Sequence, residues 1–263
     1  MPEVREEKAL LRTRLLAARA GLAAEQRRDA GRLIRDALLS LPALQMAGTV
    51  AAYYSVGTEP DTRGLVYALW KRGTYVLLPL LRPDGDLDWA SYEGPDSLVP
   101  GPRGLHEPGE APRGVQAVAR ADVVLVPALA VDRAGHRLGR GGGSYDRALA
   151  RVGPLIPLIA LLYDNELLGH LPAEPHDTPV RAVVRPGSGL TWLPSQADDS
   201  RSSLPAGARL PDPAPDRFPP RPAPFPHPGP GPFLRPFSPP RPGAESRTGL
   251  RGWICLAVDS REC

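Results

Sequence analysis

The sequence predicts an α/β fold, a three-layer α/β/α sandwich on a mostly parallel sheet, followed by a disordered Pro-rich C-terminal tail. Three observations predict it. Continuous apolar runs such as 75–81 and 122–126 alternate with segments of helical period, the pattern of strands buried on both faces. The 263 residues are enough for a substantial core. Half of the 34 prolines fall after Gly189, so composition alone divides the chain. Residues 1–190 are therefore read as a folded domain and 191–263 as a low-complexity tail.

The elements follow in order. Residues 3–20 read as a helix, with Leu10, Leu11, Leu15 and Leu16 at helical spacing and Arg5, Glu6, Lys8, Arg12 and Arg19 on the opposite, solvated face. Gly21 stops it. A second helix spans 23–41, with Ala30, Leu33, Ile34, Ala37, Leu38 and Leu41 as its apolar stripe and Pro42 behind it. Residues 49–54 form a buried strand. Asp61 caps a helix over 62–71 by accepting orphan backbone N–H groups, and Gly73 ends it. Strands follow at 75–81 and, as a hairpin or edge strand, at 87–92. Residues 94–114, rich in Gly and Pro, read as a loop, and 115–120 as a linker or helical turn. A buried strand at 122–126 ends at Pro127. A short helix at 144–151, a strand at 155–162 despite Pro157, and a last strand at 180–184 complete the domain. No internal repeat is present.

The stretch 212–243 has too many prolines for helix or sheet and no hydrophobic period, so it is expected to be disordered with local polyproline II. Its PPRP spacings leave open a role as a ligand for SH3- or WW-type domains.

Charge excludes some functions. The net charge is +3, and the excess is Arg scattered along the chain rather than a basic patch with interleaved aromatics. The expectation is a solvated surface with no nucleic-acid partner. Cys255 and Cys263 both lie in the tail, so the domain has neither a disulfide framework nor a thiolate metal site. No apolar run of about 18 residues predicts a membrane span. The N-terminal MPEVREEKALLRTRLL is charged rather than an apolar signal core. A cytoplasmic monomer is expected.

One segment carries chemistry. Residues 126–147 leave a buried strand, cross a basic Gly-rich loop and enter a helix. Glycines let backbone N–H groups approach an anion, and a helix start adds favourable partial charge. Arg137, Arg140 and Arg147 bring guanidinium forks suited to phosphate oxygens. Asp146 supplies an oxygen donor of the kind Mg²⁺ takes beside phosphates. The segment lacks the Walker A ending G-K-[ST], and it is not a dinucleotide fingerprint. The residues themselves indicate a phosphate site and stop there.

The run LVPALAVDRAGHRLGRGGGSYDRAL resembles the signature of the 5-formyltetrahydrofolate cyclo-ligase (methenyltetrahydrofolate synthetase) family, approximately PGLAFDxxGxRLGRGxGYYDR. Three further stretches agree in order: Lys8-Ala-Leu-Leu-Arg12, Thr58-Glu-Pro-Asp-Thr62 and Glu174-Pro-His-Asp177. The resemblance covers residues 3–186. It implies an enzyme that closes 5-formyltetrahydrofolate to 5,10-methenyltetrahydrofolate with ATP as co-substrate and Mg²⁺ as cofactor. It further implies that Lys8 and Arg12 contact ATP phosphates, and that Arg137, Leu138, Gly139, Arg140, Gly141, Gly142, Gly143, Ser144 and Tyr145 cradle ATP. Arg140 and Tyr145 would be catalytic. Tyr54 and Glu59, with Arg140 through Ser144, would contact the reduced formyl-folate, while Asp146 and Asp177 would hold Mg²⁺.

Three positions depart from the family pattern. Ser144 stands where a first tyrosine is usual, with a serine still able to cap the helix. Val131 replaces a phenylalanine, and Gly104 sits where some members carry an aromatic. No general base is assigned, and His136 reads as a surface residue. Two alternatives remain open: a non-catalytic nucleotide- or folate-binding relative, and an interaction protein acting through the tail.

Overall fold

The computed structural model describes residues 2–173 and 178–194, with side chains from residue 4. In chain order the elements are α1 (Pro2–Ala20), α2 (Ala24–Leu39), the one-turn α3 (Pro42–Gln45), β1 (Thr49–Ala51), α4 (Arg63–Lys71), β2 (Tyr75–Leu81) and β3 (Leu87–Ser91). Then come β4 (Leu98–Pro100), β5 (His106–Pro108), β6 (Val123–Pro127), β7 (Ala130–Asp132), β8 (Arg137–Leu138) and α5 (Ser144–Leu149). Last are β9 (Leu158–Leu161), β10 (Leu167–Leu168), β11 (Ala182–Arg185) and β12 (Gly189–Trp192).

Seven strands form the central sheet in the order β12-β11-β9-β6-β1-β2-β3. The five inner strands are parallel, with Val50 opposite both Val76 and Val123, and Leu125 opposite Ile159. The edge strands β3 and β12 are antiparallel. Helices cover both faces, as expected. Ile34, Leu38, Leu44, Leu65 and Leu69 from α2, α3 and α4 pack on one face. Ala148 and Leu149 of α5, with the turn Ala117–Arg120, pack on the other. Burying each Leu or Ile contributes about 1.5–3 kcal/mol. A third cluster joins Leu15 of α1 to Leu129, Ala130, Leu138 and Leu171, over the small sheet β10-β7-β8.

The differences from the sequence reading have local causes. Helix α2 ends at Leu39, because Pro42 does not trail it but opens a new turn behind Leu41. Strand β1 spans three residues, so Tyr53 and Tyr54 lie beyond its carboxyl end. Asp61 does accept the Arg63 amide at 3.0 Å, although Thr62 occupies the cap position. The stretch 94–114 is not all loop: β4 and β5 pair within it, and Pro100 and Pro108 end their strands. Strand β9 starts only after Pro157, leaving Leu155 exposed. Strand β12 lies past the expected last strand and runs across residue 190. Ser144 is the first helical residue rather than the cap; Gly143, at φ +67°, holds that place. The anticipated Glu174–Asp177 motif and the tail from 195 lie outside the described residues. Among the described residues no helix is long and apolar enough to cross a membrane.

Candidate functional site

A cavity of about 430 Å³ opens at the carboxyl ends of β1, β2 and β6. Strands β1 and β6 are neighbours, yet the chain leaves β1 toward β2 and leaves β6 toward β9. The crevice is thus a topological switch point, where open α/β sheets receive ligands.

One wall is α1. Lys8, Arg12 and Arg19 line the cavity, and with Leu15 they follow the helical spacing i, i+4, i+7, i+11. Lys8 and Arg19 are buried. Arg19 therefore does not sit on a solvated face. Its Nε and Nη2 donate to the two oxygens of Glu166, each at 2.7 Å, and Nη2 also donates to the Ala128 carbonyl at 2.6 Å. Glu166 additionally accepts the Tyr163 amide at 2.8 Å. Such a two-pronged pair offsets the cost of burying both charges.

The opposite wall is the loop between β8 and α5. Arg137 donates to Asp146 Oδ1 at 2.5 Å and to the Pro127 carbonyl at 3.2 Å, and its guanidinium lies over the Tyr145 ring, 5.7 Å from the centroid. Arg12 Nε donates to the Gly139 carbonyl at 2.9 Å, tying α1 to the loop. Gly141, at φ +95°, passes so close under Arg12 that a Cβ there would lie 3.3 Å from Cζ. That φ favours glycine, and any Cβ there would make the Arg12 side chain give by a few tenths of an ångström. Half-exposed Arg140 brings its Nε to 3.3 Å from Glu59 Oε1, and Glu59 Oε2 accepts the Val56 amide at 3.0 Å. Arg147, also read as a phosphate ligand, instead donates to the carbonyls of Gly85 at 2.6 Å and Gly142 at 3.3 Å and is not part of the lining.

The cavity gathers Lys8, Arg12, Tyr54, Glu59 and every residue from Arg137 to Asp146; Asp177 lies outside the described residues. Tyr54 stands 6.5 Å from the Tyr92 ring and 6.1 Å from the His106 ring. Pro79, Leu81, Leu87, Leu105 and Leu129 add an apolar wall. The charged lining comprises six cations (Lys8, Arg12, Arg19, Arg103, Arg137, Arg140) against three carboxylates (Glu59, Glu107, Asp146). A net positive, partly aromatic cavity suits a ligand that joins anionic groups to a flat apolar body.

Two phenols in the lining, Tyr53 and Tyr145, have buried hydroxyls without a hydrogen-bond partner, as does the buried Nε of Arg137. Burial, then the Glu59 carboxylate, pushes both phenols up from their ordinary values, while a guanidinium (Arg19 for Tyr53, Arg137 for Tyr145) opposes the shift.

His136 is not on the lining. Its Nδ1 lies 3.1 Å from Oδ2 of buried Asp132, which also takes the amides of Ala134 and His136 at 2.9 Å and of Leu171 at 3.0 Å. This pair holds the β7–β8 hairpin. Sequence reasoning missed Arg19, Tyr53, Arg103, His106 and Glu107. Glu107 accepts the Leu81 amide at 2.8 Å and so pins the β4–β5 hairpin to β2. Among the described residues no group of three or more His, Cys, Asp or Glu side chains is placed to hold a metal.

The model of the 5-formyltetrahydrofolate cyclo-ligase family matches residues 4–186. The chain is 41% identical over 192 residues to a 5-formyltetrahydrofolate cyclo-ligase of Mycolicibacterium smegmatis, covering 71% of this chain and 97% of the relative. It is 35% identical over 181 residues to the enzyme of that name from Escherichia coli K12, covering 66% and 97%. Among solved structures, the 5,10-methenyltetrahydrofolate synthetase of Aquifex aeolicus superposes with a TM-score of 0.62 at 29% identity, over 71% of this chain and 92% of that one.

Proposed function

This chain belongs to the 5-formyltetrahydrofolate cyclo-ligase family and is an enzyme of that kind, and from that premise we propose that it uses ATP to close 5-formyltetrahydrofolate to 5,10-methenyltetrahydrofolate, releasing ADP and phosphate. One observation carries the reading: the cationic stripe of α1, the Gly-rich loop and the aromatic wall of Tyr54 all face a single cavity.

The chemistry follows from the leaving group. A formamide oxygen leaves poorly. The formyl oxygen attacks the γ-phosphorus, the bond to the β,γ-bridging oxygen breaks, and ADP departs. N10 then attacks the activated carbon, phosphate leaves with the former formyl oxygen, and the N10 proton passes to solvent. Little covalent work falls to the protein, which positions the reactants and neutralises charge. Lys8, Arg12 and the Gly139–Gly143 backbone would hold the phosphates. Arg140 would meet the transferring group, exchanging Glu59 for it. Glu59 and Tyr54 would orient the folate, and Tyr145, under the Arg137 guanidinium, would flank the reacting centre. Asp146, on exchanging Arg137 for the ion, would hold Mg²⁺, which would lower the charge on the phosphates.

The test is turnover by the full chain. With ATP, Mg²⁺ and 5-formyltetrahydrofolate, the methenyl chromophore should grow with one ADP per molecule formed. Arg140→Ala should lower kcat by about 10²–10³ without moving the unfolding midpoint. Folate binding with no chromophore would replace the enzyme by a binding relative.

A further inference from the structure

We infer that Arg103 is a specificity residue that takes a carboxylate of the substrate's glutamate end at the cavity mouth; this rests on the proposed function above. Arg103 stands at the tip of the β4–β5 hairpin, between Pro102 and Gly104, and is exposed while bordering the cavity. Its backbone is left-handed, at φ 57° and ψ 25°, the only non-glycine residue so placed among the described residues. Glycine would hold that turn without the cost a side chain incurs there, so turn geometry alone does not account for an arginine.

Nor does the fold use its charge. Of the six cations on the lining, Arg12 donates to the Gly139 carbonyl, Arg19 pairs with Glu166, Arg137 with Asp146 and Arg140 with Glu59, and Lys8 is likewise engaged. Arg103 is the one that makes no hydrogen bond or ion pair among the described residues. An uncommitted guanidinium on a long, exposed side chain can turn to a carboxylate and grip it with two parallel hydrogen bonds.

Position selects the ligand group. The cations assigned to the phosphates stand on α1 and the Gly-rich loop, whereas Arg103 shares its hairpin with His106, whose ring lies 6.1 Å from that of Tyr54. Glu107 fixes this hairpin to β2 by accepting the Leu81 amide at 2.8 Å. Folate joins its bicyclic ring through an aromatic linker to a glutamate with two carboxylates. With the ring inside, beside Tyr54, that doubly charged end comes out at the rim, because burying unpaired carboxylates is costly. The hairpin tip supplies the cation that meets it there.

The test uses the full chain and two ligands, 5-formyltetrahydrofolate and 5-formyltetrahydropteroate, which lacks the glutamate. By titration calorimetry wild type should bind the first about threefold to tenfold more tightly, and Arg103→Gln should erase that difference by weakening the first alone. The KM for ATP should not move, Arg103→Lys should restore part of the preference, and the unfolding midpoint should stay within about 2 °C of wild type. Equal weakening of both ligands, a raised ATP KM or a lowered midpoint would each overturn the inference, as would an undiminished preference in Arg103→Gln. The proposed reaction is read separately on wild type: turnover there with the same preference in the variant sinks Arg103 alone, and no binding of either ligand by wild type sinks both.

Discussion

Helices α1 and α2 share a period and a length class, but they bury opposite chemistries. α2 turns Ala30, Ile34 and Leu38 onto the sheet. α1 turns Lys8, Leu15 and Arg19 inward at the same kind of spacing, with Arg12 beside them. The difference lies in what each helix faces. α2 covers the strand faces, where apolar burial decides orientation. α1 covers the open carboxyl ends of the strands, where a carboxylate, loop carbonyls and a cavity receive its cations. An inward helical stripe therefore reports the neighbour's chemistry, and it need not be apolar.

The sharpest way to break this comparison is Arg19→Ala. It leaves Glu166 buried and unpaired, and should cost about 3–5 kcal/mol in urea unfolding; a loss under about 1 kcal/mol would mean the pair is not a buried one. Exchanging both partners for Met should restore most of that loss. The next test crosses the helices. Ile34→Ala should cost about 2–5 kcal/mol of stability yet leave kcat/KM of the folded protein unchanged. Arg12→Ala should do the reverse, lowering kcat/KM about tenfold to a hundredfold with stability within about 1 kcal/mol. Equal stability losses in both would erase the distinction. The smallest effect belongs to Leu10, which the apolar pattern of α1 places inside but which is 73% exposed. Leu10→Gln should change stability by no more than about 0.5 kcal/mol and turnover not at all.

Much of the fold was legible because long apolar runs have few alternatives. Strands β2, β6 and β9 are seven, five and four residues of nearly unbroken apolar sequence, and the parallel sheet follows from them. The small strands were not legible. β4, β5, β7 and β8 are two or three residues each, too short to show a period of two. Prolines at the ends of β4 and β5 further disguised a hairpin as a loop. The Gly-rich loop could be read because its residues are contiguous. The inward turn of Arg19 could not, since its partner lies 147 residues away and nothing local marks a buried guanidinium. Tyr53 was hidden by its surroundings: within the apolar run 49–54 it reads as one more strand residue.

The bond between Arg137 and Asp146 fastens the two feet of the Gly-rich loop together. Any cation drawn to Asp146 meets an oxygen already shared with a guanidinium. By linkage, the clasp weakens that cation by the same factor with which the cation weakens the clasp. Ion capture and the clasp would therefore be antagonists competing for one carboxylate, and the rigidity of the loop would become a quantity that ionic conditions adjust.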